Sequence, residues 1–228
     1  MTVLKIRHQG HPDQGVHDPK GGKGQAVYDE IGDYESFVVE HYGDTAEGIS
    51  ETGKAGASFY ISQGPALNTI LRTGDLTEGM KKAGVKMESA NKQLAKMDDL
   101  FKSTIAEIPK DVTVYRGMSL KGVDWEKSIG KTFSDKGFVS TSTSKKIAGA
   151  FAKVAFDSKE NAAIVKLRVP KGTKAIPMRA IFGKDTIQST RVDREREILI
   201  NRGSSFKITS IRKDSSTNMF EVEAEVVS

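Results

Sequence analysis

The 228-residue chain contains no cysteine, which excludes disulfides, thiol nucleophiles and thiolate zinc sites together. It has no apolar run approaching the roughly 18 residues that a membrane-crossing helix needs. The opening MTVLKIRHQGHPDQG puts no apolar stretch behind a basic end, so no cleaved secretory signal is expected. Internal repeats are absent, and lysines and arginines are dispersed rather than clustered. The net charge of +5 therefore favours polyanions only weakly and does not separate a nucleic-acid binder from a protein that holds nucleotide phosphates. What remains is 37% hydrophobic and 29% charged, a soluble globular composition long enough for one substantial core.

Residues 1–25, including HPDQGVHDPKGGKG, have only Val16 as an apolar side chain after Ile6 and predict a flexible leader. His8, His11 and His17 lie in it without a carboxylate cluster or a second pair at ligand spacing, so no metal site is expected. Val27, Ile31, Tyr34 and Val38 recur at helical spacing over 27–41. Pro65 to Arg72 suggests a short helix with Pro65 in its first turn. Met87, Ala90, Leu94, Met97, Phe101 and Ile105 predict a long amphipathic helix that Pro109 ends. After Pro109 come short β-rich runs at 112–116, 137–142, 162–169, 197–200, 205–211 and 219–227, with a helical KKIAGAFAKVAF after the second. Helices first and strands afterwards indicate an α+β fold.

Three stretches carry chemistry. Arg116 ends the apolar VTVYR and would be costly to bury unpaired. Its guanidinium suits a phosphate clamp, and a surface salt bridge would satisfy it equally well. In GFVSTSTS, Ser140 and Ser142 share one strand face, and Ser144 is placed to cap the following helix. In RVDREREILINRG, an extended backbone would put Glu195 and Glu197 on one face, Arg194 and Arg196 on the other. Two carboxylates converging on one cleft can divide stabilisation of a cation from proton removal. Asp193 and the flanking arginines are expected to be solvated, as mixed charge runs usually are.

Taken in order, VYRG, GFVSTS and EREILINRGSSFKI resemble the R-S-E class of mono-ADP-ribosyltransferases, arginine-modifying bacterial toxins of the iota type. YISQGPALNTILR at 60–72 is similar to a helix of the same family. The resemblance runs from about residue 60 to the C-terminus. It implies an ADP-ribosyltransferase domain over 26–228, helical to about 109 and β-rich beyond. Its two roughly perpendicular small sheets would form an NAD cleft.

By that resemblance Arg116 would hold the NAD diphosphate, and Ser140 would orient the catalytic glutamate. Thr141 and Ser142 would shape the nicotinamide-ribose pocket; Ser142, Thr143 and Ser144 are an alternative register for the motif. Asn68 and Arg72 would contact the adenosine-phosphate side. Glu197 would bind the ribose and stabilise the oxocarbenium-like centre, and Glu195 would prepare an arginine acceptor. The segment 181–194, with Phe182, corresponds to an acceptor-recognition loop. Phe151 and Phe156 are candidates for nicotinamide stacking, though packing explains them more simply. The implied reaction transfers ADP-ribose from NAD to a protein arginine, without a metal, in a monomer acting in the cytoplasm of a host or target cell. A phage enzyme and a delivered toxin fit alike. NAD hydrolysis, transfer to nucleic acid and a non-catalytic, virion-associated nucleotide-binding module are the rivals; the last leaves both glutamates without a chemical purpose.

Overall fold

The computed structural model describes residues 31–43, 47–119, 126–154, 162–183 and 192–227. The leader, its histidines and the expected helix start near Val27 lie outside these residues. α1 (Tyr34–Tyr42) starts where Asp33 accepts from the backbone N–H groups of Glu35 and Ser36, satisfying two donors that a helix start leaves open. Tyr34 and Val38 are buried as their spacing predicts, and Ile31 is buried ahead of the helix.

The short helix expected from Pro65 is instead the C-terminal part of α2 (Glu51–Thr73), with Pro65 in its interior. Proline there removes the donor for the Ile61 carbonyl, and the glycines and serines of 51–64 lower helix propensity. Packing outweighs both. A Cβ on Gly56 would stand 2.7 Å from the Lys96 carbonyl carbon and 2.8 Å from the Met97 nitrogen, so a bare backbone is what admits the next long helix. α3 (Glu78–Lys82), capped by Thr77, leads into that helix, α4 (Met87–Leu100). α4 stops well before Pro109. Phe101 stacks on Phe138, with ring centroids 5.7 Å apart, and a 3₁₀ turn capped by Ser103 carries Ile105 onward.

The strands are β1 (Val112–Ser119), β2 (Thr132–Ser134), β3 (Val139–Ser142), β4 (Ala162–Val169), β5 (Ala175–Pro177), β6 (Glu197–Ile200), β7 (Ser205–Asp214) and β8 (Met219–Val227). α5 (Lys145–Val154) follows β3, and α6 (Met178–Phe182) follows β5. β4, β6 and β8 keep the bounds their apolar patterns predict. β2, β5 and α6 are too short for periodicity to reveal.

The hydrogen-bonded order is β2-β7-β8-β4-β1-β3-β6-β5. β1 and β4 pair along their whole length, from Val112 opposite Val169 to Ser119 opposite Ala162. β1 and β3 meet only at Tyr115 opposite Ser142. The two halves expected as separate sheets thus join at one narrow seam. Along β1 the faces alternate: Val112 and Val114 enter the main core with α2 and α4, while Tyr115 joins Ala148, Ala152 and Ile164 under α5. Gly117 lies on the α5 side, where a Cβ would come within 2.2 Å of the Ala148 carbonyl oxygen and 2.5 Å of the Ala152 nitrogen.

Candidate active site

The seam gathers the charged residues that the sequence singles out. Arg116 shares the Val114 face of β1 and is only 7% exposed. Its Nη1 donates to the Ser140 carbonyl at 2.9 Å, and its buried Nη2 has no partner among the described residues. Burial pulls the Arg116 pKa down and the nearby Arg72 charge adds to this; Asp135, Tyr60 and Glu197 oppose it. A buried cation with an idle donor is costly. An anion with two acceptor oxygens is the chemistry that would complete it.

β3 is placed by a helix. The Asn68 side chain, 1% exposed, accepts from the Phe138 N–H at 2.8 Å and donates to the Phe138 carbonyl at 3.0 Å and to the Tyr60 hydroxyl at 2.9 Å. Arg72 makes a two-bond pair with Asp135, through Nε at 2.8 Å and Nη2 at 2.9 Å. Both side chains, expected to contact a nucleotide, are engaged by protein here: Asn68 by the backbone of Phe138 and Arg72 by Asp135, on the loop entering β3. Asp135 is equally committed, since its carboxylate also accepts from the Gly137 N–H.

On β3, Ser140 stands opposite Leu199 and Ser142 opposite Glu197. Both serines share the Glu197 face, and Ser142 is the one directly across. The Ser142 hydroxyl donates to the Glu195 carbonyl at 2.7 Å, and the Thr141 hydroxyl donates to the Ile198 carbonyl at 2.6 Å from the opposite face. The Ser142 oxygen also accepts from the Ser144 N–H, and Ser144 caps α5 through Ile147. The hydroxyl motif thus stitches the glutamate strand by its backbone, including a bond from the Thr143 N–H to the Arg196 carbonyl.

Glu197 opens β6 and is 6% exposed. Its carbonyl accepts from the Tyr34 hydroxyl at 2.7 Å. Tyr60 is buried close by, and both burial and the Glu197 charge push its pKa upward. Tyr34 does not stand out in the sequence, because it occupies an ordinary core position in a helical pattern, whereas Tyr60 opens the motif YISQGPALNTILR. Glu195 departs from the extended geometry expected of it: residues 192–195 form a helical turn and Arg196 has φ of 47°. The two carboxylates are set by a turn and a strand, not by alternation along one strand. Asp193 is half-buried and paired, not simply solvated. Its carboxylate pairs with the guanidinium of Arg179 on α6, a buried arginine that also bonds Glu35 at 3.0 Å. Arg194 is exposed, as expected. Phe182 packs against the core, Phe151 is 37% exposed, and Phe156 lies outside the described residues.

The family model of the ADP-ribosyltransferase exoenzymes matches residues 34–227, spanning both halves of the sheet and every residue just described. The chain belongs to this family. Solved transferases share its fold. The C3 exoenzyme of Clostridium limosum is 18% identical with a TM-score of 0.64, over 89% of this chain and 98% of that one. Vis from Vibrio splendidus in complex with agmatine is 23% identical with a TM-score of 0.63, over 86% of this chain and 83% of that one. BECa of Clostridium perfringens with NADH is 21% identical with a TM-score of 0.62, over 85% of this transferase and 48% of that chain. No curated protein sequence matches it.

Proposed function

We propose that this transferase moves ADP-ribose from NAD to the guanidinium of an arginine in a target protein, releasing nicotinamide. The observation that carries the reading is the buried Arg116 guanidinium, one nitrogen held by Ser140 and the other without a partner among the described residues, within electrostatic reach of Glu197. A diphosphate supplies the missing acceptors, and a bidentate fork fixes its orientation. With the diphosphate held there, the Glu197 carboxylate lies where the C1′–N bond to nicotinamide breaks. Nicotinamide leaves with the bonding pair, and the carboxylate stabilises the positive charge left on the ribose. Preorganised charge of this kind is usually a large catalytic contribution.

Ser140 and Ser142 border the same face, while Thr141 holds β6 from behind. Asn68 and Arg72 act indirectly, by seating Phe138 and Asp135. Glu195, on the neighbouring turn, takes the proton that the arginine acceptor must lose before its nitrogen attacks C1′, since a protonated guanidinium has no free electron pair. Structures of related transferases with NADH, with carba-NAD and with agmatine, itself a guanidine, support this choice of substrates.

The test is incubation with labelled NAD and agmatine, following nicotinamide release and ADP-ribosyl-agmatine separately. Glu197→Gln should lower both by about 10²–10³-fold. Glu195→Gln should lose transfer and keep nicotinamide release. Transfer unaffected in Glu195→Gln removes that role, and a wild-type protein that releases no nicotinamide refutes the whole reading.

A further inference from the structure

The helical turn carrying Glu195 is held from two sides. On one side the Ser142 hydroxyl and the Thr143 N–H bond the carbonyls of Glu195 and Arg196. On the other, Arg179 of α6 reaches back across 14 residues of chain to the Asp193 carboxylate. The same guanidinium bonds Glu35 at 3.0 Å, one residue after Tyr34, whose hydroxyl holds the Glu197 carbonyl. Arg179 is 8% exposed, and its pair with Asp193 raises its pKa. The turn requires such restraint. Arg196 occupies the left-handed region, unfavourable for a side chain with a Cβ, at the end of a turn that the Arg196 N–H closes on the Asp193 carbonyl at 3.3 Å.

Glu197 has anchors besides this clamp. β6 is registered by β3 on one side and β5 on the other. Breaking the clamp therefore frees one glutamate and leaves the other in place. We propose that Arg179 is a positioning residue that locks the Glu195 turn, so that it governs delivery to the acceptor rather than cleavage of NAD. The activity arm of this inference rests on the function proposed above; the structural arm does not. A lysine can pair with Asp193 as a point charge but cannot span Asp193 and Glu35 as a planar fork, so Arg179→Lys should fall between wild type and Arg179→Gln.

Hydrogen exchange reads the clamp directly. In Arg179→Gln, and in Asp193→Asn with its smaller change of shape, the Arg196 amide should exchange about tenfold faster or more while the β6 amides keep their protection. With NAD and agmatine, both variants should lose about tenfold or more in kcat for transfer, with KM for NAD unchanged and nicotinamide release within about threefold of wild type. The double variant should lose little beyond either single one, as coupled partners do. Unchanged exchange at Arg196 overturns the clamp whatever the activity. Faster exchange with transfer and release falling equally overturns the division between the glutamates. A wild-type protein without nicotinamide release refutes the function proposed above, and the clamp is then decided by the exchange experiment alone.

Discussion

Asn68→Ala separates a residue that touches ligand from one that builds the site. The amide makes three buried hydrogen bonds, two of them to the backbone of Phe138 and one to Tyr60. Truncation leaves the Phe138 N–H and carbonyl without partners at a position 1% exposed, where water does not replace them. Each unsatisfied backbone group costs about 1–3 kcal/mol, so the variant should lose about 3–4 kcal/mol after modest relaxation. For a chain of this size about 1 kcal/mol shifts Tm by about 2–4 °C, giving a drop of about 10 °C. Urea unfolding of both proteins, checked for equal m-values, measures the loss. Asn68→Asp keeps the acceptor for Phe138 but removes both donors and buries a charge, so it should be at least as damaging. Stability within about 0.5 kcal/mol of wild type in Asn68→Ala, together with a raised KM for NAD, would show that the amide serves the ligand and that the helix does not seat β3.

Gly117→Ala should destabilise the protein by about 1–3 kcal/mol, because the new methyl meets backbone atoms of Ala148 and Ala152 that move only with the whole of α5. Arg116 is its neighbour on β1, so a rise in KM for NAD should accompany the loss; thermal unfolding and initial rates check the two effects. The Asp214 carboxylate accepts from Ser216 and Thr217 in the turn before β8 and is drawn down from its ordinary 3.8 to about 2. A depressed folded pKa adds stability above the ordinary value and loses it as pH falls through the folded one. The carboxyl carbon-13 shift of Asp214 should accordingly titrate near 2, and a midpoint near 3.8 would refute the turn geometry.

The sequence by itself determined the elements whose patterns are local. The apolar runs of β4, β6 and β8 mark their own bounds because strands buried on one or both faces must repeat apolar residues. Arg116 and Glu197 stand out because each interrupts or opens such a run with a charge. Tertiary structure decided whatever depends on distant partners. The extent of α2 follows from Gly56 against α4, and its own propensity argues against it. The bonds that Asn68 and Arg72 make to Phe138 and Asp135 exist only once the loop entering β3 lies beside α2. Asp193 resembles any charge in a mixed run until Arg179 reaches it, and that pair lies beside the turn that takes Glu195 off the strand. Spacing in sequence specifies a face only where the backbone is already known to be extended, and here the contacts of Ser142, Thr143 and Arg179 set the backbone.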